Sequence, residues 1–247
     1  MSGLKKTSGK DELYRRMVAD FECLLVDIER GNQQVDFVSS VAVDLGSGIG
    51  ALSEALSRRT RSVISIEPSC EDLTFQQLIH KKTGSDIAHV SSIEDVRGTK
   101  LANEAEILFA WHVIEHLENP IGVLQSARKI FPNLKYVFGS VPALHPRNIS
   151  EEHDILLQEF TLRKWLALAG FKIMNIDYVN VMAFINFTAV PLEEGRRIHA
   201  LKCVSSNALL LEELLLMQLF RSGADISILQ GCIDTLEYKL SGCIDET

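Results

Sequence analysis

Three glycines at alternate positions follow an acidic residue in the stretch Val41–Gly50, which reads VAVDLGSGIG. The small and β-branched residues before Asp44 indicate a buried strand, and the helix-forming run after Gly50 indicates the start of a helix. Glycine lets a bulky ligand lie against the backbone, because no Cβ intrudes and a positive φ costs little. The free N–H groups at a helix start can hold oxygen atoms. We therefore expect a ligand at this turn.

Two classes of ligand use such a turn. Gly46–Ala51 fits the dinucleotide pattern G-x-G-x-x-G/A, with Glu67 as the acid that would hold a ribose. Asp44 favours the other class, because a pyrophosphate here would face a nearby carboxylate. A ligand with ammonium and sulfonium groups would gain from the same carboxylate. S-adenosylmethionine (SAM) is such a ligand, and we prefer it to a nicotinamide dinucleotide.

A second acid follows the candidate strand Ser62–Ile66. Pro68 stops this strand and leaves Glu67 at its carboxyl end, where ligands bind in open α/β sheets. A carboxylate there offers two acceptor oxygens, which suit the two hydroxyls of a ribose.

Strand-like and helix-like segments alternate along the chain. Strands are predicted at residues 41–45, 62–67, 87–90, 105–112, 135–142 and 172–179, followed by either 184–190 or, with slight preference, 198–204. Helices are predicted at residues 11–31, 51–56, 71–82, 120–130 and 160–170, the last with Thr161 as N-cap. This alternation predicts βαβ units and a mostly parallel sheet.

Both ends of the chain differ from this pattern. Residues 1–10 are polar and predict a mobile arm, followed by a helix that Asp11 would cap and whose apolar stripe is Leu13, Met17, Phe21, Leu24 and Ile28. That helix either packs on the sheet or reaches the ligand as a lid through Tyr14, Arg15 or Arg16. The tail 206–247 is rich in leucine. It packs on its own domain, forms a homodimer seam, or contacts a membrane surface or partner protein.

Composition narrows the class of protein. Hydrophobic residues make up 46% of the 247 and charged residues 23%, as in ordinary globular proteins. A net charge of −8 disfavours a nucleic-acid substrate. The five cysteines are scattered without C-x-x-C spacing, which predicts reduced thiols in a cytoplasmic protein and no metal site. We expect no signal peptide and no membrane span.

Four motifs, taken together, resemble those of class I SAM-dependent methyltransferases. They are Val41–Gly50, Ile66–Pro68, His112–Leu117 and Phe160–Phe171, and they cover about residues 40 to 175 in the family's order. The closest resemblance is to the small-molecule branch typified by ubiquinone-biosynthesis and natural-product enzymes. The family's acid after strand three falls on Ser92, which is a departure, whereas Glu106 matches the acid at the start of strand four.

The resemblance implies a Rossmann-like, doubly wound α/β fold. Its sheet would have seven mostly parallel strands, one of them antiparallel, with an N-terminal helix and a C-terminal helical extension. The implied domains are an arm and helix acting as cap or lid (1–36), a SAM-binding domain (37–205) and the extension (206–247). SAM would lie across the carboxyl ends of strands one to four and leave as S-adenosylhomocysteine (SAH).

The resemblance also implies which residues contact the cofactor. Asp44, Gly46 and Gly48 would flank the methionyl part, Glu67 would hold the ribose, and Ser92 with Ile93 would border the adenine. The full implied set is Asp44, Gly46, Ser47, Gly48, Gly50, Glu67, Pro68, Ser92, Ile93, Glu94, Trp111 and His112. Trp111 or His112 would face the methyl acceptor.

A hydroxyl acceptor must lose its proton, and histidine is the usual base near neutral pH. His112 follows strand four, and His145 and His153 lie in the loop after strand five; these three are the candidate catalytic residues. His116 is expected to be a structural hydrogen-bonding residue. The function predicted is methyl transfer to a small molecule, at oxygen or at an amine. The alternatives are a non-catalytic SAM-binding scaffold subunit and a nicotinamide oxidoreductase.

Overall fold

The structure is a computed structural model that describes residues 4–31, 35–143, 157–180 and 183–192. These residues form one seven-stranded sheet. Its strands are β1 (Val41–Leu45), β2 (Ser62–Ile66), β3 (Ile87–Val90), β4 (Ala105–Trp111), β5 (Tyr136–Pro142), β6 (Phe171–Val179) and β7 (Phe184–Pro191). The helices are α1 (Leu4–Gly31), α2 (Ala51–Ser57), α3 (Cys70–Thr83), α4 (Lys100–Glu104), α5 (Pro120–Ile130) and α6 (Glu159–Ala169). Short 3₁₀ helices lie at Ile93–Val96 and Ile114–His116.

The strands lie in the order β3-β2-β1-β4-β5-β7-β6. β7 is antiparallel to both of its neighbours, and the pairs among β1 to β5 are parallel. This confirms the predicted doubly wound sheet with one antiparallel strand. The order reverses between β1 and β4, and the crevice outside the carboxyl ends of strands at such a point is where ligands bind in this class of sheet. The loop after β1 therefore begins in the expected binding crevice.

Helices cover both faces of the central strands, so these strands are buried on both sides. Val43 and Leu108 belong to the apolar cluster on one face, and Ala42 and Phe109 to the cluster on the other; all four are fully buried. A strand buried on both faces is apolar without alternation, which explains the sequence of β1. Asp44 is the charged residue of β1, and its burial is the unusual feature of this strand.

The N-terminal helix differs from its prediction. It begins at Leu4 rather than after Asp11, so the predicted arm at 1–10 is wrong from Leu4 onward. Lysine is a good helix former, so the polarity of this segment was not sufficient evidence for an arm. The buried stripe also differs, because Leu13 is 54% exposed while Tyr14, Val18 and Leu25 are buried.

Three further predictions need correction. Gln158, rather than Thr161, is the N-cap of α6, and Glu159 in its first turn pairs with Arg163 one turn later. Helix α4 was not predicted; the Thr99 side chain caps it by accepting from the Ala102 N–H at 3.2 Å. The last strand among the described residues is Phe184–Pro191, the less favoured of the two alternatives, and Ile185, Phe187 and Ala189 supply its alternate buried side chains.

Several predictions concern residues outside those described. They are His145, His153, the alternative strand 198–204 and the extension 206–247. None of the helices in the described ranges is long and apolar enough to cross a bilayer.

Candidate functional site

The glycine turn begins directly at the carboxyl end of β1. Gly46, Gly48 and Gly50 have φ values of 67°, 54° and 82°, which side chains with a Cβ rarely adopt. The N–H groups of Gly46 and Ser47 both donate to the Ile66 carbonyl, at 2.9 and 3.0 Å. The turn is thereby fixed to the end of β2, which carries the second acid of the site.

The three glycines of the turn serve different purposes. A Cβ on Gly46 would lie 2.5 Å from the Val113 side chain, and a Cβ on Gly50 would lie 2.7 Å from the Cβ of Gln76. A Cβ on Gly48 would meet no atom within 4 Å. Gly46 and Gly50 are therefore needed for packing, whereas the space beside the Gly48 Cα is open, as close approach of a ligand requires.

Asp44 lies beneath this turn and is only 2% exposed. Its Oδ2 atom accepts a hydrogen bond from the Ser53 Oγ at 2.6 Å. Burial raises the pKa of the Asp44 carboxyl to about 7; the Ser53 hydrogen bonds oppose this shift and the charge of Glu67 adds to it. A cation at this site would favour the ionised carboxylate, which matches the predicted role of Asp44.

Glu67 is buried at the carboxyl end of β2, with 7% exposure. Its Oε2 atom accepts from the Gly48 N–H at 2.7 Å, and its Oε1 atom accepts from the Ser69 N–H at the same distance. These two bonds fix the carboxylate beside the glycine whose backbone is open to the crevice. The adjacent Pro68 is exposed. The geometry brings Glu67 and Gly48, two residues of the predicted cofactor site, together.

The residues predicted near the adenine follow β3. Ser92 is the N-cap of the first 3₁₀ helix, in a capping box with Asp95. Ile93 packs against the main apolar cluster. Glu94 is exposed and pairs with Arg97 at 2.6 Å, so its carboxylate serves an ion pair within its own turn. The sequence did not identify Asp95, whose Oδ2 accepts from the Ser91 Oγ and the Ser92 N–H.

Trp111 and His112 end β4 on the opposite side of the turn. The Trp111 ring lies edge-on to Phe21 of α1, with centroids 6.3 Å apart. His112 has a φ of 56°, its N–H donates to the Ser140 carbonyl at 2.9 Å, and its half-exposed ring lies edge-on to Phe184. A positive φ in a residue other than glycine costs energy, and such residues cluster at functional sites.

Glu115 is a residue that the sequence analysis did not select. Its side chain is fully buried, and neither carboxylate oxygen has a hydrogen-bond partner among the described residues. Its Oε1 atom lies 3.5 Å from the Nδ1 atom of His112. The H-x-x-E spacing, which brings residues three apart together in a helical turn, was the available signal. The described residues contain no group of three or more His, Cys, Asp or Glu side chains that could hold a metal ion.

Comparison with known proteins agrees with this fold and turn. A family model described as a methyltransferase domain matches residues 28–176. The ubiquinone biosynthesis O-methyltransferase of Aliivibrio fischeri is 26% identical over 98 residues, covering 40% of this chain and 42% of that protein. The enzyme of the same name from Nitrosomonas europaea is 26% identical over 121 residues, covering 49% and 51%. The chain thus spans about half the length of these curated relatives, or less.

Solved structures share the fold at low sequence identity. A SAM-dependent methyltransferase from Aquifex aeolicus superposes with a TM-score of 0.60 and 17% identity, over 76% of this chain and 98% of that one. The magnesium protoporphyrin IX methyltransferase of Synechocystis, solved with bound SAH, superposes with a TM-score of 0.53 and 15% identity. The superposition covers 77% of this chain and 88% of that one.

The sheet order, the antiparallel β7 and the glycine turn at the switch point define the fold of class I SAM-dependent methyltransferases. The family model covers more than half of the 247 residues. The chain belongs to the methyltransferase-domain family, and SAM is the cofactor of that family.

Proposed function

We propose that this protein transfers a methyl group from SAM to a hydroxyl oxygen of a small molecule and releases SAH. The observation that carries the proposal is a pair of buried, electrostatically interacting carboxylates at the glycine turn, Asp44 and Glu67, the second of which accepts from the Gly48 N–H. A pyrophosphate would be repelled by Asp44, whereas a cationic nucleoside would be attracted to it. Glu67 would hold the ribose, and Asp44 would face the positively charged methionyl end.

The acceptor is proposed to bind at the end of β4. Bound SAM supplies an electrophilic methyl carbon, which the acceptor oxygen takes while sulfur leaves with the bonding electron pair. The half-exposed imidazole of His112 would accept the hydroxyl proton. Phe184, edge-on to that imidazole, offers an apolar surface for the acceptor. An oxygen acceptor is further supported by the name that the curated relatives share, ubiquinone biosynthesis O-methyltransferase.

The cofactor part of the proposal is tested by calorimetry on the full chain with SAH and, separately, with NADH. We expect saturable binding of SAH and none of NADH. NADH binding in the absence of SAH binding would refute the proposal and favour an oxidoreductase. This measurement needs no knowledge of the acceptor.

The acceptor part is tested with SAM labelled on its methyl group. Phenols and catechols are compared with anilines of the same ring pattern, so that the acceptor atom is the variable. We expect label in the hydroxyl compounds and none in the anilines. Label that appears in the anilines alone would contradict an oxygen acceptor, and SAH binding without transfer to any compound would contradict a small-molecule hydroxyl acceptor of this type.

A further inference from the structure

Helix α3 places two polar side chains against the glycine turn from below. Gln76 is fully buried and His80, one turn later, is 2% exposed, so both lie on the helix face that meets the sheet. A Cβ on Gly50 would come within 2.8 Å of the His80 ring, which shows how closely α3 approaches the turn. Buried polar side chains are retained where they make specific hydrogen bonds, and these two contact the cofactor turn itself.

The bonds of Gln76 fix the orientation of its amide. Its Nε2 atom lies 3.0 Å from the Gly48 carbonyl oxygen, which can only accept, so the nitrogen must face that oxygen. Its Oε1 atom therefore faces the other way and accepts from the Ser65 Oγ at 2.6 Å. The Nδ1 atom of His89 lies 3.1 Å from the same Oε1 atom. Because an amide oxygen carries no proton, His89 must donate from Nδ1.

The same reasoning continues through the histidine pair. A neutral His89 that is protonated on Nδ1 has an acceptor at Nε2, which lies 3.2 Å from the Nδ1 atom of His80. His80 must then donate from Nδ1, which leaves its Nε2 atom as the acceptor for the Tyr14 hydroxyl at 3.0 Å. The Gly50 carbonyl, 3.1 Å from that Nε2 atom, accepts from the Glu54 N–H at 3.0 Å and has a second lone pair, so it is the partner that a proton on Nε2 would take instead.

The surroundings favour neutral histidines. Burial and the neighbouring His80 lower the pKa of His89 to about 4, and burial is the main cause that lowers the pKa of His80. Glu54 on α2 acts in the opposite direction on His80, at 3.8 Å. Its carboxylate, however, already accepts from Thr83, Ser85 and Arg58. The groups facing the pair from α1, α2 and α3 are thus Tyr14, Glu54 and Gln76.

We propose that Tyr14, His80, His89 and Gln76 form a hydrogen-bond chain with one direction, which positions the backbone of Gly48 for cofactor binding. The Gly48 N–H donates to Glu67 and the Gly48 carbonyl accepts from Gln76, so this residue joins the chain to the proposed ribose acid. The four side chains are positioning residues, and the inference rests on the proposed SAM site. Because the Tyr14 hydroxyl begins the chain, the position of helix α1 affects the affinity for the cofactor.

The direction of the chain is tested by NMR on the full-length protein with ¹⁵N-labelled histidine at pH 7. We expect His80 and His89 both neutral and both protonated on Nδ1, with the signals assigned through His80→Gln and His89→Gln variants. An Nε2-protonated tautomer at either position, or a doubly charged His80 ring paired with Glu54, would overturn the proposal. The measurement uses no ligand, so it stands even if the protein fails to bind SAH.

The influence of α1 is tested with Tyr14→Phe, which removes only the hydroxyl that begins the chain. We expect affinity for SAH to fall about 3- to 10-fold, as for the loss of one hydrogen bond, and the melting temperature to fall by only about 2–4 °C. Tyr136→Phe is the matched control, because Tyr136 lies on β5 among stacked rings. The affinity of this variant for SAH should stay within about twofold of that of the unchanged protein. Equal affinities for Tyr14→Phe and the unchanged protein would refute the coupling, whereas absence of SAH binding in the unchanged protein would refute the proposed function instead.

Discussion

The two sides of the glycine turn are built in opposite ways. On the α3 side, Gln76, Ser65 and His89 are joined by hydrogen bonds to one another and to the turn. On the β4 side, the buried Glu115 carboxylate lacks a hydrogen-bond partner among the described residues, and His112 holds a positive φ. A polar network whose hydrogen bonds are all made holds its side chains in one geometry. Buried polar groups without hydrogen bonds and strained backbone are, in contrast, typical of functional sites.

This difference separates the two halves of the proposed reaction. The cofactor half is organised before anything binds, because its donors and acceptors are already matched. The acceptor half keeps an ionisable side chain, His112, half-exposed above a buried acid. Variants on the first side should therefore alter cofactor affinity, and variants on the second side should alter turnover.

Glu67→Ala is expected to give the largest effect on the cofactor side. The change removes the acceptor of two short bonds, from the Gly48 and Ser69 N–H groups, and removes the proposed ribose contact. Two ribose hydroxyls bonded to a charged group contribute about 1.5–3 kcal/mol each, so affinity for SAH should fall by about 100-fold or more in calorimetry. Glu104→Ala removes a partly exposed partner of Arg61 at the end of α4, just before β4, and is the control, with affinity unchanged. Equal losses in both variants would contradict a specific role for Glu67.

Gly50→Ala and Gly48→Ala compare two roles of glycine in the turn. Gly50 allows α3 to pack against the turn, and Gly48 leaves space for the cofactor. At Gly50 the new Cβ would clash with Gln76 and His80 in addition to the strain of a positive φ, so unfolding free energy should fall by about 2–4 kcal/mol. At Gly48 only the strain applies, about 1–2 kcal/mol, while the methyl group enters the crevice. Denaturant unfolding and SAH calorimetry together should show a mainly destabilised Gly50→Ala and a mainly binding-deficient Gly48→Ala. Reversal of that order would contradict the assigned roles.

His112→Asn tests the acceptor side while preserving the backbone, since asparagine tolerates a positive φ. General base catalysis contributes about 100- to 10,000-fold, so turnover should fall by at least about 100-fold. Affinity for SAH should change by less than about twofold. His116→Asn, in the following 3₁₀ helix, is the control and should keep turnover. A drop in SAH affinity that matches the drop in turnover would place His112 on the cofactor side instead.

The pH dependence of cofactor binding gives the smallest effect. Because burial raises the pKa of Asp44 to about 7, the free site is mostly protonated below that pH. A cationic ligand favours the ionised Asp44 carboxylate, so binding of the ligand releases a proton. The affinity of the ligand therefore rises with pH up to about 7 and is nearly constant at higher pH. The affinity for SAM should rise about tenfold from pH 6 to 8. In Asp44→Asn the affinity should be independent of pH over this range, and a persistent slope there would assign the proton to another group.

The sequence predicted most of the fold, because strand and helix periods are local properties. β3 at 87–90 and α5 at 120–130 agree with their predictions to the residue, and β2 ends one residue before its predicted end. The errors lie where local signals compete, as at Thr161, which has capping chemistry but lies inside α6. Whether Phe184–Pro191 or a later segment completes the sheet depends on which one fits beside β5 and β6, and no local pattern contains that information.

At the site, the sequence by itself determined the glycine turn and its two acids. Backbone angles that other residues rarely adopt favour glycine in the turn, and Pro68 ends β2 so that Glu67 lies at its carboxyl end. Only the tertiary structure brought Tyr14 within 3.0 Å of His80 across 66 positions of the chain, and only it left Glu115 buried beside His112. Such contacts arise from how helices pack on the finished sheet, because hydrogen bonding between distant side chains leaves no periodic trace in the order of residues.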